Sequence, residues 1–493
     1  MENEIEQIEI PDIENAVAMT TNNEIVGKKL KTKMKRVWKR AKPKIIKEMK
    51  KEEAKQIPQK KIKLLWYGDS PTANTGFGNV SRNVLKRLQE TGRFDITVLG
   101  IQYYEDPMVD LFKAWDMPYK FIAAGNNHDH DMFGRKKLLN MILERHFDIV
   151  ITFQDLPNLI TKNFGCVNSI RSAIEQAKTR FRKDIKWLIY TPVDGQLKQF
   201  ELESVKEADM TAFYTKYGYA SAMKLFVEEV TQETKNPKIQ KMLMDEFNSK
   251  LRFIYHGTDT NAYFPVDRRQ VQEFRRTYFK IRDDEFLIIN VNRNQPRKDL
   301  ARTIEAYAKA KTKIPALRLY LHCRETDAGG QLKEIIKAYG NPPGIIIPEK
   351  LDVIKGVDET TMNSIYNSAD LYITTTLGEG WGLPVTEAMA CKVPVIMPAH
   401  SSLLEIGDEG RAIFCTSAGT TICHEDYYRL RPIVNTDDMA SKIELIYNSY
   451  NTKQMVELVE RAYHFAKELT WDAVCEEWKK MIFDLIESKH VVA

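Results

Sequence analysis

From residue 62 onward, short apolar runs alternate with segments whose apolar positions recur at helical spacing. The runs at 62–67, 96–100, 149–153 and 187–190 predict strands, and the segments 80–90, 137–145 and 170–177 predict helices between them. The pattern restarts near residue 286. Strands are expected at 286–291, 317–322, 345–347, 371–375 and 393–397, with helices at 301–309, 332–338, 362–367 and 385–390. Continuous apolar strands separated by helices imply parallel sheets covered on both faces. The expected fold class is α/β, with two doubly wound domains in series facing a cleft. Residues 226–250 read as a helical insertion. Near the end, Trp471, Val474, Cys475, Trp478, Met481, Ile482 and Leu485 line one helix face that needs a groove to cover it.

This divides the chain into an extension at 1–61, an N-terminal domain at 62–262, a C-terminal domain at 263–465, and a helix at 466–493 expected to pack back on the N-terminal domain. The net charge of +5 is uneven. Residues 1–27 carry seven acids and no Lys or Arg, whereas 28–63 carry seventeen Lys/Arg against three acids, leaving the remainder close to neutral. A body that grips nucleic acid along its length is therefore disfavoured. Residues 1–27 read as disordered. Leu30, Met34, Val37, Trp38 and Ala41 then recur at helical spacing among lysines and arginines, a basic amphipathic helix interrupted by Pro43. Such a segment, 28–55, suits an anionic membrane surface, the phosphates of nucleic acid, a protein partner, or simply a solvated tail. The acidic, polar start is unlike a secretory leader. Six scattered cysteines without a CxxC pair fit reduced thiols and a cytoplasmic location, with peripheral membrane contact through the basic segment.

Candidate chemistry gathers in loops that follow strands, where doubly wound sheets bind ligands. Leu377-Gly-Glu-Gly-Trp-Gly-Leu-Pro-Val-Thr-Glu387-Ala-Met-Ala follows an apolar strand and opens a helix. Its glycines permit close backbone approach, amides at a helix start bind anions, and a carboxylate suits vicinal hydroxyls. Asn292-Arg293-Asn-Gln-Pro-Arg297-Lys298 follows another strand, and an Arg and a Lys five apart can converge on one diphosphate. Gly76 and Gly78 lie in a loop after the first strand but lack the third glycine of a dinucleotide fingerprint. His128, Asp129, His130 and Asp131 read as a polar surface loop rather than a metal cluster, and Cys415, Cys423 and His424 match no zinc spacing.

Glu379, seven intervening residues and Glu387, followed by Ala-Met-Ala and Val393-Pro-Val-Ile, resemble the signature of retaining GT-B glycosyltransferases of family four, the glycosyl transferases group 1. The resemblance implies two Rossmann-like domains, an N-terminal acceptor domain and a C-terminal nucleotide-sugar donor domain. It implies that Glu387 binds the donor ribose, and that Glu379 with Gly380, Trp381, Gly382 and Leu383 contacts the donor sugar. Arg293 and Lys298 would hold the diphosphate, with Arg297 a substitute because Asn292 stands where the family usually has Gly. Gly76 and Gly78 would close over the diphosphate from the N-terminal side, residues 255–259 would form the interdomain hinge, and Asp327 to Gly330 would edge the cleft. Many members carry a His at an N-terminal strand end. Here that strand ends in Thr191-Pro-Val-Asp194, so Asp194 is the candidate acceptor-side residue and Asp155 the second.

The expected activity is metal-independent transfer of a sugar, with retention, from a nucleotide-diphosphate sugar to an acceptor hydroxyl. A UDP-sugar is the expected co-substrate, and no separate cofactor is expected. Lipid-linked glycan, protein and modified DNA all remain open as acceptor. Two other readings are a nucleotide-sugar epimerase on the same fold and a non-catalytic binder that uses the basic helix.

Overall fold

A computed structural model describes residues 60–73, 75–102, 119–125, 131–160, 169–349, 351, 356–423 and 426–487. The amphipathic segment at 28–55, the acidic start, His128 to His130, Cys166 and His424 lie outside the described residues. The chain divides into Met1–Lys61 and Ile62–Ala493, and the fold below is that of the second unit.

The first sheet is built from β1 (Ile62–Asp69), β2 (Phe94–Ile101), β3 (Lys120–Ala123), β4 (Ile149–Phe153), β5 (Lys186–Thr191), β6 (Met210–Phe213) and β7 (Leu251–Phe253). Its order is β3-β2-β1-β4-β5-β6-β7 and every pairing is parallel. Helices α1 (Gly76–Glu90), α2 (Arg135–Glu144), α3 (Ile170–Phe181), α4 (Leu202–Glu207), α5 (Lys216–Glu233) and α6 (Pro237–Ser249) connect the strands. β4 is buried at all five positions, as expected of a strand covered on both faces. Capping side chains start the helices: Thr75, Ser169 and Thr215 accept from the amides of Gly78, Ser172 and Gly218.

The second sheet has the order β12-β9-β8-β13-β14-β15, also parallel throughout. After α7 (Arg268–Phe274) come β8 (Phe286–Val291), α8 (Leu300–Lys311), β9 (Leu317–His322), the small pair β10 (Thr326–Asp327) and β11 (Gly330–Gln331), α9 (Leu332–Ala338) and β12 (Ile345–Ile346). Then follow α10 (Glu359–Asn367), β13 (Leu371–Ile373), α11 (Leu383–Ala390), β14 (Val395–Pro398), α12 (Ser402–Gly407) and β15 (Ile413–Cys415). A separate antiparallel hairpin, β16 (Ser417–Cys423) with β17 (Arg429–Val434), precedes α13 (Thr436–Ser449), α14 (Lys453–Glu468) and α15 (Trp471–Glu487).

In each sheet the strand order reverses once, between β1 and β4 and between β8 and β13. Ligand crevices lie beyond the carboxyl ends of strands at such points. Helix α15 lies against the first sheet's lobe. Trp478 packs on Trp66 with ring centroids 5.6 Å apart, Phe483 stacks on Phe94 at 5.8 Å, and Asp472 pairs with Arg87 at 2.6 Å. The chain therefore crosses between lobes twice, side by side. At this junction Thr258 N donates to the Leu469 carbonyl at 2.6 Å, and Trp471 fills the space beside Gly257. His256 is buried there among Tyr190, Tyr214, Trp381 and Trp471. Burial pushes its pKa down to about 3, so the ring is neutral.

Candidate active site

The two crevices face each other, and the loops after β8, β13 and β14 meet those after β1, β4 and β5. The loop from Leu377 to Gly382 leads into α11, which begins at Leu383 with Gly382 at φ 114° as its cap. Only a residue without Cβ adopts that backbone readily. Glu379 is buried in this loop. Its Oε1 receives Lys298 Nζ at 2.5 Å and its Oε2 lies 3.5 Å from Arg297 Nη1. Burial alone would raise its pKa, but Lys298 and Arg297 outweigh that and hold it below the usual carboxylate range. Burial in turn lowers the pKa of Lys298, against the pull of Glu379. Arg297 also donates to the Gly378 carbonyl. Ser401 accepts from the Glu379 amide at 3.1 Å, while Ser402 donates to the carbonyls of Glu379 and Trp381 at 2.8 and 2.7 Å.

Gly378 and Gly380 sit under the end of β5. A Cβ on Gly378 would lie 1.9 Å from the Asp194 carbonyl oxygen, and one on Gly380 would lie 2.5 Å from Pro192 Cβ. These two glycines let the lobes close on each other. The Trp381 ring packs against Tyr255 at the junction of the lobes, 5.0 Å between centroids, which leaves its backbone to serve the loop. Leu383 stands opposite Gly76 across the cleft, whereas Gly78 is packed against its own turn, with a Cβ position 2.1 Å from the Ala73 carbonyl.

The two arginines of the β8 loop part company. Arg293 reaches outward to Asp327 on the β10–β11 hairpin, with Nε to Oδ2 2.9 Å and 59% of its side chain exposed. Arg297 points inward to Glu379, and its Nε lies 3.4 Å from Asp194 Oδ2. The inward cation pair at the loop is thus Arg297 with Lys298. Asn292 donates to Asn290 Oδ1 at 2.8 Å.

On the N-terminal side, Asp194 is held on both carboxylate oxygens. Arg431 Nη2 meets Oδ1 at 2.8 Å, and Arg297 takes Oδ2. Burial would raise its pKa, yet Arg297 and Arg431 bring it down to about 2. A carboxylate this firmly ionised is a poor proton acceptor near neutral pH. Asp155, at the end of the neighbouring strand β4, makes no side-chain hydrogen bond to any described residue. Its side chain is exposed, and desolvation by the surrounding protein, followed by the charge of Asp194, pushes its pKa up to about 7, with Arg297 opposing. Asp69, at the end of β1, accepts from Thr75 Oγ1 at 2.8 Å and from Gln102 Nε2 at 3.2 Å, and burial raises its pKa to about 6.

Glu387, on α11, is buried and accepts from Tyr366 Oη at 2.6 Å. Burial pushes its pKa up to about 7, only partly offset by Tyr366. The folded chain therefore holds a proton between pH 4.5 and 7 that the unfolded chain releases, so this residue's contribution to stability declines as pH rises through that window. Glu387→Gln is expected to stabilise the ligand-free protein by about 1–3 kcal/mol at pH 8, with the gain vanishing near pH 5, as measured by urea unfolding at both pH values.

Residues that the sequence reading passed over also reach the site. Arg429 and Arg431 come from hairpin β16–β17. His400, after β14, is pushed down to about pKa 4 by burial, and its buried Nε2 has no partner among the described residues. Glu405 on α12 accepts from the amides of Lys216 and Tyr217 at the start of α5, at 3.1 and 2.5 Å, and from Tyr255 Oη at 2.9 Å. His400 was discoverable from its place just after a strand. The hairpin arginines offered only their alternation around Leu430. Among the described residues, no group of three His, Cys, Asp or Glu side chains is placed to hold a metal ion, and no helix is long and apolar enough to cross a membrane.

Residues 271–420 match the family model for glycosyl transferases group 1. The chain is a glycosyltransferase, and this region of it is similar to that group. The glycosyltransferase is 23% identical to a probable sucrose-phosphate synthase of Thermosipho melanesiensis over 384 residues, covering 73% of this chain and 79% of that one. It is 22% identical to the capsular polysaccharide biosynthesis glycosyltransferase CapM of Staphylococcus aureus, covering 68% and 82%. Among solved structures, HepE of Anabaena in complex with UDP and glucose aligns with a TM-score of 0.58 at 14% identity, over 85% of this chain and 99% of that one. The sucrose-phosphate synthase of Thermosynechococcus elongatus aligns at 0.59 and 15%, over 87% and 100%. The fold is GT-B: two Rossmann-like lobes that face a cleft.

Proposed function

We propose that the enzyme moves a sugar from a nucleotide-diphosphate sugar, with UDP as the nucleotide, to an acceptor hydroxyl with retention of anomeric configuration. The observation that carries this is the convergence of Arg297 and Lys298 on Glu379, beside the start of α11 and within the interlobe cleft. Cleaving a sugar–phosphate bond leaves negative charge on the diphosphate. Two inward cations, with a helix start beside them, are suited to receive that charge without reorganisation. Gly76 and Gly78, expected in a loop, form the first turn of α1 instead, and of the two only Gly76 faces Leu383 across the cleft. Glu387, once ionised, offers both oxygens to the vicinal hydroxyls of a ribose. The ligands in the solved complexes of HepE, UDP and UDP-glucose, agree with this donor class.

No metal or separate cofactor enters this scheme. The acceptor hydroxyl would lie toward Asp155, whose raised pKa leaves it able to exchange a proton near neutrality, while Asp194 stays ionised and orients Arg297. Closure of the lobes would exclude water from the sugar.

The test is release of UDP and free sugar from a panel of UDP-sugars, with the product anomer read by NMR. Retention of configuration with UDP release is the expected result, and epimerised nucleotide sugar would refute the transferase reading. In the same assay Arg297→Ala should lower turnover by about 10²–10³-fold, and Arg293→Ala should have a smaller effect. Equal losses in the two variants would assign the diphosphate to the outer arginine as well.

A further inference from the structure

Hairpin β16–β17 belongs to neither parallel sheet. It leaves the C-terminal lobe between β15 and α13 and fastens onto the loop after β5 of the N-terminal lobe. Arg429 and Arg431 lie on one face of β17, and Leu430 between them points out, 56% exposed. Arg429 makes the anchor. Its Nη2 pairs with Glu201 Oε1 at 2.6 Å, with both side chains buried, and its Nη1 donates to the Gln196 carbonyl at 2.6 Å. Tyr427 at the turn packs on Phe200, 5.1 Å between ring centroids.

Arg431 makes a different set of bonds. Only 2% of its side chain is exposed. Nη1 donates to the Asp194 carbonyl at 2.8 Å and toward the Leu377 carbonyl at 3.4 Å, and Nη2 pairs with Asp194 Oδ1. Asp426 supports the guanidinium from behind at 2.5 Å. The space it fills is kept clear on both lobes. A Cβ on Gly195 would lie 3.0 Å from Nη1 and one on Gly378 would lie 2.3 Å from it. One planar group thus touches the loop that carries Glu379 and the loop that carries Asp194. Through Asp194 it continues to Arg297, Glu379 and Lys298, a chain of alternating charge across the cleft.

We propose that Arg431 is a positioning residue for the transfer reaction: it sets the donor loop at 377–380 and the acceptor-side loop at 192–195 at a fixed separation, and hairpin β16–β17 exists to deliver it. This rests on the nucleotide-sugar reading of the cleft. Arg431 need touch neither substrate. A guanidinium is required because the contact is a fork to two backbone carbonyls and two carboxylates, which an ammonium satisfies only in part. Displacement of reacting groups by about 1 Å is enough to lower a rate by about 10²-fold.

The experiment uses the full chain and the variants Arg431→Gln and Arg431→Lys. Backbone hydrogen exchange is measured without donor, and UDP-sugar turnover is measured alongside. In Arg431→Gln, exchange should accelerate in both 194–201 and 377–380. Turnover should fall by about 10²-fold while donor KM stays within about 3-fold of the wild type. Arg431→Lys should recover part of the turnover and slow exchange in 194–201. Acceleration confined to the hairpin would overturn the proposal. So would turnover within about 2-fold of the wild type, or equal losses in donor affinity and turnover. Should Arg431→Gln fail to fold, the lysine variant decides alone: it must show the same split between turnover and KM, in milder form. Because exchange is read without donor, a wild-type chain that consumes no nucleotide sugar would refute the donor reading and leave the Arg431 coupling to be judged separately.

Discussion

Lys298→Met is expected to lower nucleotide-sugar cleavage by about 10³-fold and to destabilise the fold by about 3–5 kcal/mol. The two effects have different origins. Turnover falls because the leaving diphosphate loses a cation placed before the reaction begins. Stability falls because Glu379 is left buried, with Arg297 at 3.5 Å as its remaining charged neighbour. The double variant Lys298→Met with Glu379→Gln separates them. Removing both charges should return most of the stability, since an emptied ion pair strands no charge. It should return none of the turnover. Denaturant unfolding and UDP release measure the two quantities. Recovery of turnover in the double variant would show that Lys298 serves only to neutralise Glu379.

Gly378→Ala is the second large effect. The added methyl would sit 1.9 Å from the Asp194 carbonyl and 2.3 Å from Arg431 Nη1. The first of these neighbours is backbone on the other lobe, and neither partner can retreat without separating the two loops. The variant is expected to fold, to bind UDP within a few-fold of the wild type through the intact C-terminal lobe, and to lose about 10²-fold or more in turnover. Small-angle scattering should show a larger radius of gyration. Full activity at unchanged dimensions would mean that the lobes work from a more open arrangement than the one described.

Much of the architecture was readable before any coordinates. Strands such as β1, β4, β8 and β9 are buried on both faces, so their apolar runs stand out against the helices. β6, Met-Thr-Ala-Phe, and β15, three residues long, were not anticipated, because four or fewer residues with a threonine or none of the alternation carry little signal. Hairpin β16–β17 was missed for a different reason. Its outer face carries Ile422, Tyr428 and Leu430 in the open, while its arginines are buried, which inverts the usual pattern. The motif around Glu379 and Glu387 stood out because its residues are nearly consecutive in the chain. The opposite wall of the cleft is assembled from Asp69, Asp155, Asp194 and Arg431, which lie on four separate elements. Their ion pairs and pKa values exist only after folding. That is why the sequence shows Asp194 only as a candidate acceptor-side carboxylate, while the fold holds it between two guanidiniums.

The paired crossings between the lobes have a mechanical consequence. A single connecting strand is a swivel, free to twist as well as bend. Two connectors lying alongside one another, tied by the Thr258 to Leu469 hydrogen bond and wedged by Trp471 against Gly257, behave like a door on two pins. Such a joint swings about one axis, so each cycle of opening brings the halves back to the same seating with less disorder to lose.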